Sequence, residues 1–210
     1  MKKMLLILVI LVFTATAFCQ EQKKIILPEP QTDKGMPLMQ ALKERRTQRD
    51  FSPKELGQQT LSNLLWAADG INRPESSHRT APSAVNMQEI DIYLAKADGL
   101  YLYNAKEQAL EPVLKEDIRS ATGKQEFVGA APLNLVYVAD YSKSVKVGDK
   151  KEFYAAADTG FISENVYLFC ASEGLTTVVR GSFDEAKLAK TMKLRPDQKI
   201  ILTQTVGYPK

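Results

Sequence analysis

Residues 153–173 constrain this chain more than any other stretch. They run without proline and carry Ala155, Ala156, Ala157, Phe161, Ile162, Val166, Leu168, Phe169, Cys170 and Ala171 before Gly174 stops the pattern. A helix apolar on more than one face has to be covered on more than one face, by a core or by an interface. Two strand-like runs can supply part of that cover. Residues 133–139, after Pro132, and residues 200–206, before Gly207-Tyr208-Pro209, are apolar, partly β-branched and of strand length. A long helix bracketed by buried strands excludes a helical bundle, a repeat array and a disordered tail, and predicts one mixed α/β domain.

The remaining elements fit around that centre. Residues 20–36 hold Pro28, Pro30 and Gly35 and read as an extended leader. Pro37 opens a helix whose Leu38, Ala41, Leu42 and Arg45 share a face; Phe51-Ser52-Pro53 ends it. Leu61, Leu64, Leu65 and Ala68 predict a second helix, with Gly70 expected as its left-handed cap. Residues 71–88 read as loop. Ile90, Ile92 and Leu94 alternate with Asp91, Tyr93 and Ala95 as a half-buried strand, and Gly99 turns it into a hairpin partner at 100–103. Residues 114–122 read as a short helix and 176–179 as a strand. Ser182 and Glu185 fit a capping box for a helix ending near Met192. Four or five strands are expected.

The first nineteen residues have a different character. Lys2 and Lys3 precede an unbroken apolar run, residues 4–13, followed by the small residues Thr14, Ala15, Thr16 and Ala17. This is the layout of a secretory signal, too short for a comfortable membrane span. Cleavage after Cys19 is the expectation, with a lipid-modified Cys19 as the alternative. The mature protein is then exported, to the periplasm of a bacterium, with Cys170 as its one cysteine and no stable membrane span. The chain has 28 Lys and Arg against 25 Asp and Glu. Without the leader it is close to neutral, which argues against nucleic acid as a partner. One His and two Cys offer little for a metal site, and none is expected.

Three places carry candidate chemistry. Arg45-Arg46-Thr47-Gln48-Arg49 sets three guanidiniums and a hydroxyl at a helix end, suited to a phosphate; a solvated helix face is the competing reading. Ser83, Asn86 and Gln88 lie in a loop bounded by Pro82, where amides could meet the edge of a heterocycle or serve ordinary turns. Gly174-Leu175-Thr176-Thr177 can bring backbone amides close to a flat ligand or be a simple helix stop. His78 reads as a surface histidine and Cys170 as packing. Asp158 and Glu164 are read as capping loops or bridging subunits. Walker A, GxGxxG, HExxH and GxSxG patterns are missing.

In order along the chain, these segments resemble the FMN-dependent nitroreductase family. Arg45-Arg46-Thr47-Gln48-Arg49-Asp50-Phe51 resembles its Arg-Arg-Ser-x-Arg-x-Phe opening, with Thr47 for Ser. Leu64-Leu65-Trp66-Ala67-Ala68-Asp69-Gly70-Ile71-Asn72 resembles its second helix. Arg79-Thr80-Ala81-Pro82-Ser83-Ala84-Val85-Asn86-Met87-Gln88 resembles its Pro-Ser-Ala-x-Asn-x-Gln flavin loop, residues 160–165 and 174–177 its central helix and following loop, and Val206-Gly207-Tyr208-Pro209 its terminus. The likeness spans about residues 36–210, so the domain is placed at 37–210.

The resemblance implies an α+β fold with a mostly antiparallel central sheet flanked by helices and a long helix at a homodimer interface. It implies non-covalent FMN between subunits. Arg45, Arg46, Thr47 and Arg49 would hold its phosphate and ribityl chain, with Lys210 adding a contact. Pro82, Ser83, Asn86 and Gln88 would approach the isoalloxazine, and Gly174, Leu175 and Thr176 its reactive edge. Hydride would pass by a ping-pong route from a small donor, NAD(P)H being a candidate, to a nitro or quinone-type acceptor, with no catalytic side chain required. Two departures keep alternatives open. The lid-like insertion of many relatives is missing, and NAD(P)H is scarce outside the cytoplasm. A flavin-binding or scaffold protein without turnover, or a dehydrogenase of azoline-like substrates, remain as rival readings.

Overall fold

The computed structural model describes residues 23–210, so the export signal over 1–19 and the Cys19 alternative lie outside the described residues. Fourteen helices and strands follow in order. They are β1 (Ile25–Ile26), α1 (Leu38–Glu44), α2 (Gln58–Asp69), β2 (Ile71–Arg73), β3 (His78–Arg79), β4 (Ile90–Lys96) and β5 (Gly99–Asn104), then β6 (Ala109–Leu114), α3 (Phe127–Ala130), β7 (Leu133–Asp140), α4 (Lys151–Glu173), β8 (Thr176–Arg180), α5 (Glu185–Met192) and β9 (Gln198–Gly207). Seven strands form one antiparallel sheet in the order β1-β6-β5-β4-β7-β9-β8, and β2 and β3 form a separate hairpin. Among the described residues no helix is long and apolar enough to cross a membrane.

Strand β7 is the spine. All eight of its residues are buried, because both faces of the sheet are covered there. Leu135, Tyr137 and Ala139 face a cluster with Leu64 and Leu65 of α2 and Ile162, Val166 and Cys170 of α4. Val136 and Val138 face the opposite cluster, with Leu188 and Met192 of α5 and Ile200 of β9. The period of two in the strand assigns alternate side chains to the two layers. Leu64 has no exposed surface. Leu64→Ala should lower the unfolding free energy by about 2–5 kcal/mol, read from the denaturant midpoint; a loss under about 1 kcal/mol would mean the α2 layer collapses to fill the gap.

Several expectations are corrected. The sheet has seven strands, not four or five. Strand β6, to which the sequence reading assigns no element, contains Pro112; it is tolerated because β1 pairs only with Ala109 and Leu110, leaving Pro112 on an open edge. The leader contributes that edge strand. Residues 114–122 hold a single 3₁₀ turn, Arg119–Thr122, in place of a short helix. Residues 71–79, read as loop, form the β2–β3 hairpin. Gly70 is extended (φ −75°, ψ 162°), not left-handed; a Cβ there would lie 2.6 Å from the Trp66 Cα, so close approach explains the glycine. The capping box at Ser182 does not form. Asp184 caps α5, its Oδ1 accepting the Lys187 N–H at 3.0 Å, while the Ser182 carbonyl accepts the Lys124 N–H. Gly174 does take the left-handed conformation (φ +65°) at the end of α4.

Candidate functional site

Helix α1 stops at Glu44, and Arg45 is already extended (φ −56°, ψ 122°). The arginine cluster therefore does not lie on a helix face. It runs as an extended segment beside β8, where the Gln48 N–H donates to the Thr177 carbonyl at 3.0 Å. Tyr167 of α4 organises the contact. Its hydroxyl accepts the Val179 N–H at 3.0 Å and pairs with Thr47 Oγ1 at 3.0 Å, and its ring lies 5.3 Å below the Arg45 guanidinium. A bridge between Phe51 and Pro209 and the bond from the Ser52 N–H to the Tyr208 carbonyl bring Lys210 alongside the same segment. Arg46, Arg49 and Lys210 are exposed, and none of the four cations forms an ion pair among the described residues. Cations on one extended segment that are not committed to ion pairs suit a phosphate.

The 174–177 junction borders this segment and is firmly backed. Leu175 and Thr176 are buried, and the Leu175 N–H donates to the Cys170 carbonyl at 2.8 Å. Thr177 Oγ1 donates to the Thr205 carbonyl at 2.8 Å and accepts from Gln204 Nε2 at 3.1 Å. Gln204 Oε1 in turn accepts the Tyr137 hydroxyl at 2.5 Å. The backbone at Gly174 is thus an exposed edge on a fixed support.

The third group, Ser83 to Gln88, is conformationally strained. Val85 (φ +46°), Asn86 (φ +56°) and Gln88 (φ +51°) all lie in the left-handed region, costly for a β-branched valine. Surrounding bonds hold them there. Ser83 Oγ accepts the Gln88 N–H at 3.0 Å, and Asp158 Oδ2 of α4 accepts the Ala84 N–H at 2.9 Å. Gln88 Nε2 donates to the Ser77 carbonyl and to Asn86 Oδ1, and its Oε1 accepts from Arg79 Nε at 3.0 Å. Both ends of the Gln88 amide are therefore used to hold the loop. Pro82, Val85 and Asn86 form its exposed rim. Asp158 does cap a loop, one of the two roles expected for it.

Buried acids lie beneath this loop. Arg79 Nη1 meets Asp69 Oδ2 at 2.9 Å; burial pushes the Asp69 carboxyl up to about 7, against the pull of Arg79. Glu89, the next residue after Gln88, has no exposed surface. His78 is half-buried on β3 with an unpartnered Nδ1, which corrects its reading as a surface histidine. Cys170 is buried packing, its thiol pushed up by burial. Among the described residues no cluster of three or more His, Cys, Asp or Glu is arranged to hold a metal.

Sequence reasoning passed over Tyr167, Arg79 and Asp69 as site-forming residues. Tyr167 carried one available signal, a polar-tipped aromatic inside the apolar run Val166 to Cys170. Asp158 and Tyr167 are nine residues apart on α4, ~13 Å along the helix axis at 1.5 Å per residue. A concavity of about 470 Å³ lies elsewhere, beside Leu27, Trp66 and Gln108. The solvent side of α4 exposes Phe153 (70%) and Phe161 (48%), and α1 exposes Leu38 and Met39. Such a stripe is the kind of surface a partner chain covers.

Residues 42–208 match the Nitroreductase family. A Methanocaldococcus jannaschii protein assigned as a nitroreductase is 30% identical over 169 residues, 75% of this chain and 85% of that one. A Ralstonia eutropha crystal structure, likewise assigned as a nitroreductase, has a TM-score of 0.86 and 44% identity over 90% of each chain. A chain of the E. coli microcin synthetase complex shares the fold, with a TM-score of 0.69 and 22% identity over 98% of this chain and 85% of its own.

Proposed function

The chain belongs to the nitroreductase family, which supports a flavin-type oxidoreductase in general terms, and from that premise we propose that it binds FMN non-covalently between two copies of itself. The observation that carries this reading is the segment of Arg45, Arg46 and Arg49, free of ion pairs among the described residues and joined through Gln48 to Thr177 of the 174–177 junction and through Phe51 and Ser52 to the strand end that carries Lys210. These residues would hold the phosphate, with Thr47 directed by Tyr167 toward the ribityl chain. Gly174 and its neighbours would present backbone along one edge of the isoalloxazine. The rim of the Ser83–Gln88 loop would close over it, from the partner subunit in this reading. Asn86 is the polar rim residue placed to meet the ring, while Gln88 shapes the loop.

Bound FMN supplies reversible two-electron hydride chemistry. The chain's part is positioning. The Arg cluster anchors one end, the backed 174–177 backbone fixes the plane, and the strained loop sets the approach of donor and acceptor. Donor and acceptor then use the same surface in turn, a ping-pong order, with NAD(P)H as the candidate donor and nitro or quinone compounds as acceptors. No side chain is asked to move a proton in this scheme. The exposed apolar residues on α4 and α1 support the homodimer reading, and the export signal would place the dimer outside the cytoplasm.

The test is the visible spectrum of residues 20–210 purified after expression. A flavin spectrum, with intact FMN released on denaturation, is expected. A colourless protein that also ignores added FMN would sink the reading and favour a scaffold of the same fold. The mass of the secreted protein should correspond to a chain starting at Gln20; an acylated Cys19 would replace that location with a lipid-anchored one.

A further inference from the structure

Glu89 stands out among the groups that the proposed chemistry leaves unused. It is fully buried, and no hydrogen-bond donor reaches either carboxylate oxygen. Its backbone is pinned, the carbonyl accepting the Asp140 N–H of β7 at 2.8 Å. An ionised carboxylate in such a place would lose its hydration with nothing in return, a cost large enough that the group neutralises instead. A neutral carboxyl carries a proton that needs an acceptor. The carboxyl facing it is Asp158 of α4, itself 3% exposed. Asp158 already accepts the Ala84 N–H, the bond that ties down the first residue of the strained stretch.

We propose that Glu89 is a positioning residue: it is carried protonated, donates that hydrogen bond to the Asp158 carboxylate, and through Asp158 keeps the Ser83–Gln88 loop in its strained form. The proton stays on Glu89 while the loop is closed, and none passes to Asp158 or to a ligand. The loop's relevance to flavin rests on the reading above, whereas the linkage between Glu89 and the loop does not. Burial first, and then the Asp158 charge, push the Glu89 carboxyl from its ordinary 4.5 up to about 7. The charged and titratable groups facing it are Asp158 from α4, Lys143 after β7, Asp69 at the end of α2, and Tyr141. Lys143 pulls the other way but is paired with Asp91 at 2.7 Å.

The sign follows from proton linkage. With Glu89 shielded, the closed loop holds a proton between about pH 4.5 and about pH 7 that the opened loop, with a hydrated Glu89, has released. Closure is therefore fully favoured below that window and weakens as pH rises through it. Hydrogen exchange of the 83–88 amides, measured without cofactor and corrected for intrinsic rates, reads this directly. In the wild type, protection should fall across the window by up to about tenfold per pH unit. Glu89→Gln keeps a donor and cannot ionise, so its protection should fall less steeply by that one-proton slope. The difference between the two proteins is the readout, because Asp69 titrates in both.

Coincident profiles would overturn the proposal. A second measurement needs no variant: carbon NMR of the wild-type side-chain carboxyls should show one glutamate still protonated at pH 6, and ordinary titration of every glutamate would equally overturn it. Adding FMN separates the two readings. Linkage without FMN binding removes the flavin assignment alone, and FMN binding with coincident profiles removes the Glu89 assignment alone.

Discussion

Replacing Arg45 and Arg49 together by alanine should leave a folded protein that no longer retains FMN. Each charge-assisted bond to a phosphate contributes about 1.5–3 kcal/mol, so losing two weakens binding by about 3–6 kcal/mol, or roughly 10²- to 10⁴-fold. The fold should hardly notice. Neither arginine forms an ion pair among the described residues, and Arg45 gives up only its stacking on Tyr167 at 5.3 Å. Flavin content after purification and a titration with FMN measure the first effect, and the thermal midpoint measures the second. Unchanged FMN affinity would return the cluster to a solvated surface. A collapsed midpoint would give the arginines a structural role that their surroundings do not suggest.

The second large effect is expected at the opposite side of α4. Phe161→Glu introduces a charge into the exposed apolar stripe that Phe153 and Phe161 form. If a second copy covers that stripe, the new carboxylate is buried without a partner in each subunit, related by the dimer axis. A penalty of at least about 3 kcal/mol raises the dimer dissociation constant by more than about 100-fold. If the cation segment and the Ser83–Gln88 loop meet a shared ligand only across two chains, as proposed, FMN should be lost together with the dimer. Sedimentation at several concentrations and the flavin spectrum test both halves. A dimer that persists would move the interface away from α4. A monomer that still binds FMN would place both halves of the site in one chain.

Local order was readable wherever one element settled its own structure. The buried strand at 133–139 shows both its limits and its depth through its run of apolar residues, and Gly174 marks the end of α4 because a left-handed cap is a local requirement. Where two readings were locally equivalent, neighbours decided. Ser182 fits the cap of α5 by its spacing to Glu185, yet in the fold its carbonyl accepts the Lys124 N–H and Asp184 holds the cap. Pro112 argues against a strand in isolation, yet the sheet accepts it at an open edge.

The candidate site divides in the same way. The residue types came from the linear order alone: three arginines and a threonine, a Pro-Ser-Ala loop, a Gly-Leu-Thr-Thr turn, and the Gly-Tyr-Pro terminus, which together resemble the family that the matched residues 42–208 bear out. Chemical identity is a property of each position and survives without coordinates. Distance and burial are properties of pairs of positions far apart in the chain. Only the folded chain brought Tyr167 under Arg45 and Thr47, set Lys210 beside the same segment, spent the Gln88 amide on Ser77 and Arg79, and enclosed Glu89 against Asp158. Those contacts join residues up to about 160 positions apart, and the desolvation that makes Glu89 unusual comes from the sheet and α4 closing over it.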